Sequence, residues 1–205
     1  MLLAAAALAA PPDWTGSVGV GLGGSVLVGG NAEAFGAGVA QRLAGDVAIS
    51  RGSAFSVELA HTRHVVRDAS AWFPGADVSA DAMEGFRDYV SVDAGVRVGG
   101  VLPPDAPVGA VTAVPFARIG LAGVYTTTLL GVAGFDGRVA LRSERLSPAA
   151  SLGAGCEVRL LRRIAVVPHL VAQAVVEEDV GEVDGVGVWG VEWRLQPAVD
   201  ASFHF

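Results

Sequence analysis

The stretch VWGVEWRLQPAVDASFHF, residues 188–205, alternates up to the last residue. Trp189, Val191, Trp193, Leu195, Val199, Phe203 and Phe205 share one parity, and Glu192, Arg194, Gln196, Asp200, Ser202 and His204 share the other. Successive side chains of a strand point to opposite faces, so a period of two marks a strand with one apolar and one polar side. This strand is also far longer than the roughly five or six residues usual in a soluble sandwich.

The same period runs back through the chain. It predicts strands over Trp14–Val28, Ala37–Ile49, Ala54–Val65, Phe86–Val98, Pro115–Tyr125, Ala150–Leu160 and Ile164–Val176. With the last segment these make eight, an even number, and each is long enough to cross a hydrocarbon layer at a barrel's tilt. Connections alternate in kind. Arg51 to Ser53 and Arg162-Arg163 are tight, and Gly99 to Val114 is a longer turn on the same side. Gly29 to Phe35, Arg67 to Gly85, Thr126 to Ala149 and Glu177 to Gly187 are expected as loops on the other side, the third with ribbon-like flanks. Short turns at one end and long loops at the other is the pattern of a transmembrane barrel.

Composition narrows the field. Of 205 residues 52% are hydrophobic and only 17% charged, which excludes a disordered chain. No run of about 20 apolar residues exists, so a helical membrane protein is excluded too. The net charge is −7 and every basic residue is Arg, leaving no basic patch; no nucleic-acid partner is expected. Cys156 is the only cysteine, so neither an internal disulfide nor a cysteine metal cluster can form, and no activating partner surrounds it in sequence. Residues 1–9 have the short apolar core and small-x-small site of a signal peptide whose start is truncated; residues 10–205 are expected to be the barrel domain.

Two alternating designs compete. A soluble calyx keeps its apolar face inside, whereas a membrane barrel turns it outward. The polar face here is rich in Gly, Ala and Ser, too small and sparse for a water-washed exterior. Its charges nearly balance: Arg42, Arg97, Arg118, Arg159 and Arg194 against Asp46, Glu58, Asp93, Glu157, Glu192 and Asp200. Balance suits a narrow lumen, where an unpaired buried charge is very costly. These eleven are the expected lumen ion-pair residues. The aromatics form two girdles: Trp14, Phe55, Phe203 and Phe205 at the short-turn end, and Phe86, Tyr125 and Trp189 at the other, with Trp193 as a further interface anchor. His61 and Arg63 break the apolar parity and are placed near the outer interface.

The alternation of Val199, Ala201, Phe203 and Phe205 up to the chain end resembles the C-terminal signature of bacterial outer-membrane barrels, in which a final Phe is recognised by the assembly machinery. The chain is similar throughout to the small eight-stranded, OmpA- or OmpX-like class of the porin-like superfamily. That resemblance implies a closed, all-β, up-and-down antiparallel barrel in the outer membrane of a Gram-negative cell envelope. It also implies termini in the periplasm, Phe203 and Phe205 as the assembly signal, and outer-membrane lipids and the assembly machinery as partners. The function expected is a structural or surface-interaction role with the lumen filled by ion pairs. A narrow passive pore or lateral route for small solutes is the alternative, and a lipid-modifying hydrolase the minor one. No cofactor, catalytic residue or metal site is expected.

Other motifs carry less. The glycine sets at 19–24 and 185–190 match a dinucleotide fingerprint, but neither opens a helix. His61 and His64 lie on opposite parities and do not converge. No His-x-Ser pairing supports the hydrolase. Glu177, Glu178, Asp179, Glu182 and Asp184 form an acidic outer loop that could gather divalent cations.

Overall fold

The computed structural model describes residues 16–29, 32, 34–50, 52–68, 83–99, 112–132, 139–161, 163–183 and 186–205. Residues 1–9, expected as a signal peptide, lie outside them with Trp14 and Asp184, as do the side chains of Trp189, Glu178, Asp179 and Glu182. The eight strands are β1 (Gly16–Val28), β2 (Phe35–Ser50), β3 (Ser53–Val66), β4 (Met83–Gly99), β5 (Thr112–Val132), β6 (Val139–Leu161), β7 (Ile164–Val183) and β8 (Val186–His204). Each pairs antiparallel with the next, and β8 returns to β1, closing the barrel. No described helix is long and apolar enough to cross a membrane.

Closure is made by β8. Gly16 N donates to Phe205 O at 3.1 Å and Phe205 N to Gly16 O at 3.0 Å, while His204 N donates to Arg163 O at 2.8 Å. The terminal residues are thereby tied to strands on both sides. The register sets the tilt. Stepping across the ladders from Ser17 passes Asp46, Ser56, Gly95, Gly120, Ser151, Gln173 and Arg194, and arrives at Leu27, ten residues further along β1. Eight strands with that stagger tilt by about 40°. Every residue on this path faces the lumen, as the even side-chain period requires.

The exposure pattern is inverted relative to a soluble protein. Leu121 is 73% exposed, Leu22 66% and Ile119 65%, whereas Arg194 is 0%, Glu157 1% and Asp93 2%. The apolar parity of every strand faces outward and the polar parity inward.

Two connections differ from expectation. Most of Thr126 to Ala149 is ladder: β5 and β6 pair from Thr112↔Arg159 to Val132↔Val139. The stretch expected as an acidic loop is also mostly strand, since β7 and β8 pair up to Val183↔Val186. Sequence alternation fades in both because polar residues stand on both parities over much of these stretches. One bulge also matters. The β2–β3 register shifts between Phe35 and Gly38, and Phe35, which parity alone sends outward, is 2% exposed inside the lumen.

Candidate functional site

Among the described residues charge collects in the lumen, and it does so in two layers. The lower layer lies toward the chain termini. Glu58 on β3 accepts from Arg42 on β2 and from Arg118 on β5, the latter at 3.0 Å; Arg118 also donates to Asp93 on β4 at 2.6 Å. Beside this chain, Arg97 bridges Asp46 at 3.2 Å and Glu157 at 2.7 Å, with its guanidinium 4.0 Å above the Phe116 ring. Arg159 and His204 reach Glu157 at 3.5 and 3.4 Å, and His169 lies 3.8 Å from Asp200. Parity supplies the common direction, and the stagger brings residues far apart in sequence to one level.

Small residues make room for these charges. A Cβ at Gly21 would overlap the Asp200 carboxylate, and one at Gly120 the Asp93 carboxylate. A cavity of about 60 Å³ remains among Arg42, Asp46, Glu58, Arg118, His169 and Asp200, room for roughly four to six waters. Asp200 Oδ1, His169 Nε2 and Arg42 Nη1 are buried without protein partners, and all three residues line that cavity. A hydrated pocket is the physical way to satisfy such groups.

The upper layer is built around Tyr89 on β4. Its hydroxyl donates to Glu192 at 2.5 Å, Arg194 lies 4.2 Å above its ring, and His64 meets the ring edge-on at 5.7 Å. Arg87 pairs with Glu177 and lies 3.7 Å from Glu192. Leu27, Phe35, Val124, Leu130 and Val175 pack around this group as an apolar cluster inside the lumen.

Of the eleven expected ion-pair residues, nine are brought into arginine–carboxylate pairs, and Asp200 lies beside the His169 ring. Arg194 is the exception: among the described residues it is held by the Gln173 amide oxygen and the Tyr89 ring, with no carboxylate in ion-pair reach. Arg87 and Glu177 were not among the expected residues, although both share the polar parity of their strands. Ser25 and His64 form another unforeseen contact. His64 Nε2 lies 3.1 Å from Ser25 Oγ, and its Nδ1 donates to Gly36 O at 2.8 Å. A nucleophile and base in that relation are found in hydrolases, but both residues are sealed, at 1% and 0% exposure. The contact ties β1, β2 and β3 together.

On the outside, Phe55, Phe203 and Phe205 are exposed at the short-turn end, and Tyr125 and Trp193 toward the other, with Phe86 half-buried there. His61 and Arg63 face outward, both on Asp88. Glu177, placed in the acidic outer loop by the sequence, points instead into the lumen. No group of three or more His, Cys, Asp or Glu suited to a metal occurs among the described residues.

No family model and no curated sequence matches the chain. Solved structures do. Neisserial surface protein A superposes with a TM-score of 0.59 at 10% identity, covering 93% of this chain and 97% of that one. A major outer membrane protein of Thermus thermophilus gives 0.57 at 14%, covering 93% and 99%. The attachment invasion locus protein of Yersinia pestis, solved with a heparin analogue, gives 0.55 at 13%, covering 94% and 99%. At such identities the likeness is one of architecture: the chain has the closed eight-stranded antiparallel barrel fold found in these bacterial outer-membrane proteins.

Proposed function

We propose that this chain is an integral outer-membrane barrel with its termini in the periplasm and a closed lumen, acting as a structural and surface-interacting element of the envelope. The observation that carries the reading is the inversion of exposure: a wall of exposed Leu, Val and Ile surrounds buried Arg, Asp and Glu. In water such a wall would aggregate; in lipid it is the stable arrangement, and a closed barrel leaves no backbone group unpaired at an edge. The closed lumen follows from the two layers. The lower one keeps a small hydrated pocket, and the upper one sets an aromatic ring, two guanidiniums and an apolar cluster across the bore.

Two measurements test this. On a detergent gel the unboiled and boiled chain are expected to migrate differently, as an intact barrel does. In a planar bilayer the refolded chain is expected to be silent. Steady single-channel steps would overturn the closed lumen and favour the passive-pore reading, for which the hydrated lower pocket is the supporting observation.

A further inference from the structure

On the outward face of the described residues, a row of polar side chains crosses four strands on the loop side of the outward Gln41 and His61. Arg63, Asp88, Thr127 and Glu144 stand side by side across β3, β4, β5 and β6, each directly opposite the next. All lie on the outward parity, next to the aromatic residues Phe86 and Tyr125.

Each end of the row holds a guanidinium gripped along one edge. Arg63 Nε and Nη2 donate to the two oxygens of Asp88 at 2.7 and 2.6 Å. Arg142 donates to Glu144 through Nε, at 2.7 Å, and through Nη2, while Glu144 also accepts the Tyr125 hydroxyl at 2.7 Å. Arg63 is further fixed by the Phe86 ring, 4.2 Å beneath it, and His61 stands 3.6 Å from Asp88. A guanidinium has two edges that can each take an oxyanion. The carboxylate occupies the Nε side, so Nη1 and one Nη2 hydrogen remain for a second partner. The Arg63 and Arg142 side chains are 52% and 70% exposed, whereas Asp88 is 16%. At the Arg63 end, donors therefore meet the surroundings more than acceptors do.

We propose that this row binds phosphate on a lipid headgroup of the outer leaflet, with the remaining forks of Arg63 and Arg142 as the donors. The inference rests on the outer-membrane reading above. Position selects the lipid: the row faces away from the lumen at the level of the outer aromatic residues, where headgroups lie and a dissolved anion would have to displace them. Chemistry selects phosphate, whose oxygens match the guanidinium fork in a charge-assisted bidentate contact.

The test uses the full chain folded in detergent, with the heat-dependent gel shift as the check on folding. Binding is measured by native mass spectrometry with bisphosphorylated lipid A, with the same lipid dephosphorylated, and with inorganic phosphate as competitor. The phosphorylated lipid is expected to bind at least tenfold more tightly than its dephosphorylated form. Arg63→Gln combined with Arg142→Gln is expected to erase that preference, and the exposed control Arg67→Gln to keep it. Arg63→Lys with Arg142→Lys, which retains charge and guards against misfolding of the Gln pair, is expected to recover only part of it. A gel-shifting Gln pair that keeps the preference overturns the proposal while leaving the barrel reading intact. Displacement of the lipid by millimolar inorganic phosphate overturns it too, by marking a site for soluble anions. Loss of the gel shift in the unaltered chain counts against the membrane reading itself.

Discussion

The two layers of the lumen fill the same bore by different physics. In the lower layer nearly every side chain is charged and carboxylates are shared: Glu58 serves Arg42 and Arg118, and Glu157 serves Arg97, Arg159 and His204. In the upper layer an aromatic ring is the hub, two guanidiniums lie over its faces, and aliphatic side chains close the rest. The lower layer is held by Coulomb attraction beside a small wet pocket. The upper one is held by packing, with polar contacts at its centre. An ion-pair network fills the bore where small residues leave space; where Leu27, Phe35 and Val175 reach inward, packing fills most of it around the ion pairs of Arg87 alone.

The largest effect is expected at Glu58. Glu58→Ala would leave the buried Arg42 guanidinium without its carboxylate, while Arg118 keeps Asp93, and breaking a buried pair in this way costs about 3–5 kcal/mol. Glu192→Ala in the upper layer removes an acceptor from Tyr89 and Arg87, but Arg87 keeps Glu177. Its expected cost is about 1–3 kcal/mol. Urea unfolding in lipid vesicles, followed by tryptophan emission, reads both. Equal losses would mean that the two layers do not differ in kind.

Next in size are the glycines that seat the lower carboxylates. Gly21→Ala and Gly120→Ala force Asp200 and Asp93 to move, an overpacking cost of about 1–3 kcal/mol. Gly123 faces outward with nothing within 4 Å of a Cβ, so Gly123→Ala is expected to change little in the same assay. Smaller again is Tyr89→Phe. It keeps the ring beneath Arg194 and removes only the hydrogen bond to Glu192, an expected loss of about 1 kcal/mol. A loss as large as that of Glu58→Ala would show that the upper layer depends on its charges after all.

How much of this could be read from the sequence follows from what a period of two encodes. Parity fixed the inward direction of Arg42, Arg118 or Asp200 without any knowledge of neighbours, because a one-residue slip would turn a charge into lipid. Pairing was not encoded. That Arg97 meets Glu157, or Ser25 meets His64, depends on a ten-residue stagger that only closure of the barrel defines. Arg87 and Glu177 were missed for another reason. Glu177 stands one residue past the predicted strand Ile164–Val176, where polar residues follow on both parities, whereas Arg87 lies inside the predicted strand Phe86–Val98 on the lumen parity but beside the outward charge of Asp88. Phe35 was hidden by a bulge, a single extra residue that inverts its parity and that no local signal announced.

The smallest effect lies outside both layers and sets their reference. Glu144 stands on the exposed ribbon of β5 and β6, where the Tyr125 hydroxyl, followed by the Arg142 guanidinium, holds its carboxyl below the ordinary range by favouring the charged form. Because the folded value is depressed, the stability this contributes is present above the unfolded carboxylate range and fades as pH falls through the folded value. The group stands on the outer face of the barrel and not in the enclosed lumen, so screening keeps the contribution slight. A carbon-detected titration of the Glu144 carboxyl is expected to show a midpoint below that of an unpartnered glutamate. Tyr125→Phe should move that midpoint upward toward the ordinary range while leaving the urea midpoint of the barrel essentially unchanged. A shift in the urea midpoint comparable with that of Tyr89→Phe would mean that a hydrogen bond on the outer face contributes as much as one inside the bore, and the contrast between exposed and enclosed polar contacts in this barrel would fail.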